Sequence, residues 1–387
     1  MSISSKNDLN HLSNLKHIKQ QLFNHSAISR AEIARKTDLT RATVSSLFDE
    51  LDSQNYIKHL GRGKSTENGG RKPELYTINS HYGYIACFNL TYNSLYTIFL
   101  YIDGQEISYQ RTPINDHQIS SVIKIIEQQI THISKFDDTE QGLLGISFSI
   151  HAVVDNNRIK HSPYYDLQNI DLQKYFENLY RIPVHIGNEA NLAAIFERDF
   201  IKDNSDNFIV LSIHRGPGIG VIANHQLFSG FQGMTGELGS VKILNSKGKY
   251  QELGNIFSSD YLLAHIMQAS HCQITNLEEA HQVVLKNIPS INNILENFAY
   301  NTAQLVFNLQ MLYGPEKILI NSPIIEALPE LGSLIQKYAT KSGIQIPITI
   351  IKGSKYVSLL GAGALLIRQV LNLKNVNLQF HWSHHIG

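Results

Sequence analysis

The spacing of apolar positions changes near residue 80 and divides the chain into a short helical head and a longer body. From about Leu9 to Asn24, Leu12, Leu15, Ile18 and Leu22 recur every three or four residues, which predicts a helix with one buried face. Ser29 and Glu32 stand at capping-box spacing. Ile33 and Thr37 lie one turn apart, so a short helix is expected there. Asp38-Leu39 makes a turn, and Thr40 is placed to cap a further helix. In that helix Val44, Leu47, Phe48 and Leu51 form one apolar stripe. Tyr56 to Leu60 and Glu74 to Ile78 read as two short strands around a glycine-rich, basic segment, Gly61 to Pro73.

A mixed rhythm begins at Tyr82. Strands are expected at Tyr84–Leu90 and Ser94–Ile102, with a hairpin turn at Asp103-Gly104. A helix over Ile119–Ile133 leads to the apolar strand Leu143–Ile150. A helix near Leu172–Leu179, the strand Pro183–Ile186 and a helix over Asn191–Arg198 follow. The pattern then repeats: strands at Phe208–Ile213 and Ile219–Ala223, helices from Ser259 to Tyr313, and the strand Lys317–Ile320. Another helix, the strand Ile348–Ile351 and a last helix from Leu360 complete it. Strands first and βα units afterwards, twice over, predict two α/β lobes around a cleft. The expected domains are 1–79, an α+β winged helix-turn-helix, and 80–387, a two-lobed α/β body.

The polar residues give the head a chemistry. Thr40, Arg41, Ala42, Thr43, Ser45 and Ser46 lie mostly off the apolar stripe, near the start of the second short helix. Short side chains at a helix N-terminus allow close approach to base edges in a major groove. Arg30 precedes them. Lys64, Arg71 and Lys72 lie in the Gly61–Pro73 segment, which reads as a wing able to follow phosphates or enter a minor groove. The helices alone would suit an ordinary antiparallel pair, and the basic segment alone a linker. Together they favour a double-stranded DNA contact.

Charge agrees with this division. The chain of 387 residues has no formal net charge, yet residues 1–80 hold twelve Lys/Arg against eight Asp/Glu, and the remainder holds 21 against 25. Two cysteines, Cys87 and Cys272, exclude a disulfide framework and an all-cysteine zinc site. The 18 histidines show no metal-ligand spacing, and His384-His385 reads as tail. The N-terminus lacks a signal-peptide core, and no apolar run reaches the ~20 residues of a membrane span. A cytoplasmic protein without membrane contact is expected.

Several motifs resemble the ROK family of repressors and sugar kinases. They are the helix-turn-helix, Gly69-Gly70-Arg71-Lys72-Pro73, and the stretch Phe208 to Ile243 with Thr235-Gly236-Glu237-Leu238-Gly239. Gly187-Asn188-Glu189-Ala190-Asn191, Ile182-Pro183-Val184 and Leu360-Gly361-Ala362-Gly363-Ala364 extend the likeness over nearly the whole chain. Within the family it is most similar to the xylose-repressor branch. The resemblance implies an actin-like, ribonuclease H-like two-lobed fold behind the winged helix. It also implies a homodimer or homotetramer, and a sugar effector in the cleft, with Asn188, Glu189, Glu237, Ser240, Glu252 and His151 as candidate contacts.

Departures from the family pattern bear on catalysis. Kinase members carry Asp-x-Gly-Gly-Thr on the first hairpin; this chain has Asn89-Leu90-Thr91-Tyr92-Asn93-Ser94, without the carboxylate or the glycines. Pro217 removes an amide donor from the second phosphate loop, Arg215-Gly216-Pro217-Gly218. Glu189 replaces the aspartate base and carries its carboxylate one methylene further out. Ser240 stands where relatives place a histidine, and Asn245–Phe257 has no cysteine, so neither metal nor other cofactor is expected. Ile150-His151-Ala152 and Ser162-Pro163-Tyr164 also differ from the family's sugar-site pattern. Three readings follow: a non-enzymatic sugar-responsive repressor, a regulator answering to another ligand or partner, and a sugar kinase with an added head.

Overall fold

In the computed structural model, which describes residues 6–63, 72–201, 203–245, 247–374 and 376–380, the head is organised around a capped helix pair. Ser29 Oγ accepts from Glu32 N at 3.3 Å, while the Glu32 carboxylate accepts from Ser29 N at 2.9 Å, closing the capping box of the helix Arg30–Thr37. Asp38, at φ 54°, ends that helix in the left-handed region. Thr40 then caps Arg41–Ser53, accepting from Thr43 N at 3.1 Å. Val44, Leu47, Phe48 and Leu51 are all buried, as their spacing requires, against Ile18, Leu22, Ile28 and Ile33.

The first helix spans Lys6–Asn24, and only its second half is packed. Leu12, expected on the buried face, is 46% exposed. The strands are Ile57–Arg62 and Glu74–Ile78, antiparallel with an irregularity between His59 and Gly61. Lys64, Arg71 and most of the basic segment between these strands lie outside the described residues.

The body holds two five-stranded sheets of the same internal order. In the first, Glu106–Pro113, Ser94–Tyr101 and Tyr84–Leu90 run antiparallel, and Leu143–Ile150 and Val184–Asn188 extend them in parallel. In the second, Gln226–Leu227, Pro217–Ala223 and Phe208–Ile213 are antiparallel, and Lys317–Asn321 and Ile348–Ile350 continue in parallel. Both faces of these sheets are covered, so their central strands are mostly apolar, with buried polar residues such as Asn89, Ser149, Ser212 and Asn321 toward their ends. Ile85 and Cys87 face a central layer, whereas Tyr84, Ala86, Phe88 and Leu90 face the helices Ile119–Ile133 and Leu172–Tyr180. Phe208 and Val210 face the same central layer. Ile209, Leu211 and Ile213 turn instead to the helices Pro289–Tyr313 and Pro329–Lys341.

The helices Glu189–Phe200 and Ser354–Val370 fill the layer between the sheets. They cross closely at Gly361, where a Cβ would overlap the Leu192 carbonyl. The last helix begins at Ser354, six residues before the expected Leu360, because Glu326 from elsewhere in the chain caps it. The strand Glu106–Pro113 and two small hairpins, Val153–Asp155 with Arg158–His161 and Lys242–Leu244 with Tyr250–Glu252, had no counterpart in the sequence expectation.

Beyond Val370 the chain runs as a strap over the head. Phe380 packs between Phe23 of the first helix, at 4.8 Å, and Phe200, at 5.0 Å between ring centroids. The Asn377 carbonyl accepts from Gln20 Nε2 at 2.8 Å and from Asn24 Nδ2 at 2.9 Å. Tyr56 stacks on Tyr82 at 4.2 Å, and Asn79 N donates to the Tyr56 carbonyl. Head and body are thus joined by an aromatic stack and by a returning segment as well as by the chain itself.

Candidate functional site

At the proposed DNA-facing end of the head, Thr40, Arg41, Ala42 and Ser46 are exposed, and Thr43 and Ser45 are half-buried. The Thr40 hydroxyl is shared between Thr43 N and, at 2.8 Å, the Thr43 hydroxyl, so its orientation is fixed. Arg30 is engaged inside the head: its guanidinium lies 4.5 Å from the Phe48 ring centroid and pairs with Asp49 at 3.2 Å. Lys72 is exposed at the edge of the described chain.

The six candidate sugar residues, scattered from 151 to 252, line one chamber of about 290 Å³ between the lobes. That volume is near the lower end of the ~300–1,000 Å³ usual for small-ligand pockets. The strand Val184–Asn188 ends in the chamber, and Asn188 caps the helix that starts there. Asn188 Oδ1 accepts from Ala190 N at 2.9 Å, and Asn188 Nδ2 donates to the Ala152 carbonyl at 2.9 Å and to Glu237 Oε1 at 3.4 Å. Glu237 is positioned by Gly236, whose φ of 94° and contact with the Ile219 carbonyl admit no side chain. Burial raises the Glu237 pKa. Ser240 and Glu252 stand exposed at the same chamber.

Glu189 is directed into the protein. Its Oε1 accepts from Asn321 Nδ2 at 3.0 Å and lies 3.2 Å from His214 Nε2. Burial opposes its charge, but the His214 charge and hydrogen bonds from His214 and Ser212 prevail and hold its pKa to about 2. His151, its ring 5.1 Å from that of His214, lines both this chamber and the larger one beside it. Burial holds the His151 pKa to about 4, so the ring is neutral at pH 7. Sequence reasoning did not single out His214, Ser212 or Asn321. Asn321 closes an apolar strand 132 positions from Glu189, and a polar residue at that strand end is the only signal it gives.

The larger chamber, about 790 Å³, is partly occupied by the protein's own groups. Glu326 accepts from Gly353 N at 2.6 Å and Ser354 N at 3.0 Å, and so takes the helix N-terminus where a phosphate would otherwise be favoured. Arg215 crosses from one lobe to the other, 3.8 Å from the Tyr92 ring centroid and 5.5 Å from that of Tyr164, while pairing with Asp260 at 2.8 Å. Asn89 Nδ2 donates to Ser358 Oγ at 3.1 Å. Among the described residues no group of three or more His, Cys, Asp or Glu is placed to hold a metal ion, and no helix is long and apolar enough to cross a membrane.

Known proteins match this architecture. The profile of the ROK family matches residues 102–369. A xylose repressor of Lactiplantibacillus pentosus is 34% identical over 370 residues, covering 95% of each chain. The xylose repressor of Staphylococcus xylosus is 33% identical over 375 residues, covering 94% of this chain and 97% of its own. Among solved structures, a ROK family transcriptional regulator, a homologue of the E. coli MLC protein, superposes with a TM-score of 0.74 at 19% identity, covering 93% of this chain and 97% of its own. A ROK glucokinase from Streptomyces griseus superposes with a TM-score of 0.62 at 16% identity, covering 73% of this chain and 99% of its own. The head, the duplicated sheets and this similarity over nearly the full length agree: the chain belongs to the ROK family.

Proposed function

We propose that this protein is a sugar-responsive transcriptional repressor of carbohydrate-utilisation genes. It would act in the cytoplasm as a homodimer or homotetramer, with xylose as the first effector to test. One observation carries the reading: His151, Asn188, Glu189, Glu237, Ser240 and Glu252 converge on one interlobe chamber in a body whose DNA-reading head is fastened to it at two places. A ligand that binds one lobe angle better than another shifts that angle and moves the head with it. Two heads on one palindromic operator turn that movement into a change of fit. The names of the relatives at 33–34% identity support xylose.

Catalysis is not part of the proposal. Pro217 withholds an amide, Asn89 supplies no carboxylate, and Glu326 takes the helix N-terminus. A coupled ATP assay with xylose is expected to show no turnover.

The test is operator binding. A duplex selected from a random pool is titrated with the protein at fixed salt, with and without D-xylose, and followed by fluorescence anisotropy. Xylose should weaken the complex by roughly 5–150-fold, the usual range of coupling. Failure to bind any duplex at low ionic strength overturns the reading. The internal commitments of Glu189 and Asn188 favour a second reading, in which the chamber serves a ligand other than a sugar. Silence toward a calorimetric panel of pentoses and hexoses, with operator binding intact, would select it.

A further inference from the structure

A third cavity, of about 650 Å³, shares no lining residue with either chamber of the cleft. Both lobes, both central helices and the strap contribute to its wall. Arg198 comes from the helix Glu189–Phe200, Arg368 from the helix Ser354–Val370, and Lys374 from the strap. The residues lining it include no Asp or Glu. The carboxylate beneath the guanidiniums is Asp199, which both hold through two bonds each: Arg198 at 2.8 and 3.0 Å, and Arg368 at 3.0 and 2.9 Å. One carboxylate under two guanidiniums and an ammonium leaves positive charge in excess. Exposed Asp206, 3.6 Å from the lining His225, offsets part of it. His185, on the wall formed by the first lobe, has its pKa held down to about 4 by burial and then by the Lys374 charge. Asn156, Asn157 and Asn224 line the same space from turns of both lobes, but Asn156 Nδ2 donates to Asp155 at 3.0 Å, and Asn157 is bonded at both ends of its carboxamide to the strand Val184–Asn188.

We propose that this cavity binds a small organic phosphate, and that its occupancy fixes the strap and therefore the seating of the DNA head. A phosphate dianion suits an excess of more than one positive charge. Its oxygens can meet donors arriving from several directions, as the two helices and the strap provide. The volume exceeds the needs of inorganic phosphate, and Asn224, Gln226 and Gln369 on the wall offer polar contacts to an organic remainder. The link to the head is short. Arg368 Nη1 donates to the Val376 carbonyl, and the next carbonyl, that of Asn377, accepts from Gln20 and Asn24 of the first helix. An anion bridging Arg198 and Lys374 ties the strap to the central helices just before those bonds.

The experiment uses the full chain, with inorganic phosphate and glycerol 2-phosphate as probes and ionic strength held constant with chloride. Wild type should show a melting temperature that rises saturably with either probe. At ten times Kd the ratio of folded to unfolded protein increases about eleven-fold. Lys374→Glu, an exposed position where the fold tolerates the change, should weaken probe binding at least tenfold, and Arg198→Gln should act in the same direction. Glu237→Gln should leave probe binding unchanged, because this cavity is separate from the sugar chamber. Operator affinity of wild type should change with glycerol 2-phosphate, and that of Lys374→Glu should not. A flat melting temperature in wild type, equal responses in wild type and Lys374→Glu, or loss of the response in Glu237→Gln would each overturn the proposal. None of these thermal outcomes depends on whether a sugar binds.

Discussion

Replacing Glu237 with glutamine separates a ligand group from a fold group. In the free protein its carboxylate meets Asn188 Nδ2 at 3.4 Å, a long bond whose loss costs well under ~1 kcal/mol. Its backbone position depends on Gly236, which the substitution does not touch. Stability should therefore barely change. A bound sugar is different, because its hydroxyls would donate to a charged, half-buried acceptor. Hydrogen bonds to charged groups contribute about 1.5–3 kcal/mol each, so loss of one weakens binding roughly 10–150-fold. A pH signature accompanies the loss. Burial raises the Glu237 pKa, and the ionised form is the stronger acceptor for sugar hydroxyls. Wild-type affinity should fall as pH drops through that raised value, while the glutamine variant stays flat. D-xylose titrated calorimetrically into both proteins over the acid range is the assay. A variant that binds within about twofold of wild type, with the same pH profile, would refute the assignment of Glu237.

Further outcomes follow from other sites. Arg41→Ala should weaken operator binding and lower the salt slope by about one if the guanidinium contacts a phosphate, as titrations at several salt concentrations will read. Asp199→Ala strips the buried Arg368 and the half-buried Arg198 of their carboxylate and should cost about 3–5 kcal/mol in thermal or denaturant unfolding. Gly361→Ala forces a methyl group into the Leu192 carbonyl and should cost about 1–3 kcal/mol, measured the same way. Glu189, with its pKa lowered to about 2, contributes stability above its unfolded-state value, and that contribution is lost as pH falls through about 2. Acid unfolding followed against pH should show that loss in wild type and not in Glu189→Gln.

Local chemistry was legible in the sequence where the determining groups are neighbours. Ser29 and Glu32, three positions apart, announce their own helix start, and the stripe from Val44 to Leu51 needs only its own period. The same holds for the strand Tyr84–Leu90 and the helix Ile119–Ile133, whose apolar patterns run unbroken to both ends. Features decided by distant partners were not legible. Leu12 has helical spacing and yet stands exposed. The last helix starts at Ser354 because Glu326, 28 positions earlier, satisfies its first amides. In the site, family motifs located the residues of the chamber but not their orientation. Glu189 looks like a ligand in sequence, and only the fold brings Asn321 and His214 to its carboxylate.

The strap has a consequence for biosynthesis. Asn24 is translated 353 residues before the Asn377 carbonyl to which it donates. At the ~5–20 residues per second of protein synthesis, the reading head emerges from the ribosome on the order of twenty seconds to a minute before its anchor exists. A nascent chain can thus form its capped helices early, with the Tyr56–Tyr82 stack available to it before the strap. The second fastening of the head arrives only once Asn377 and Phe380 have been made.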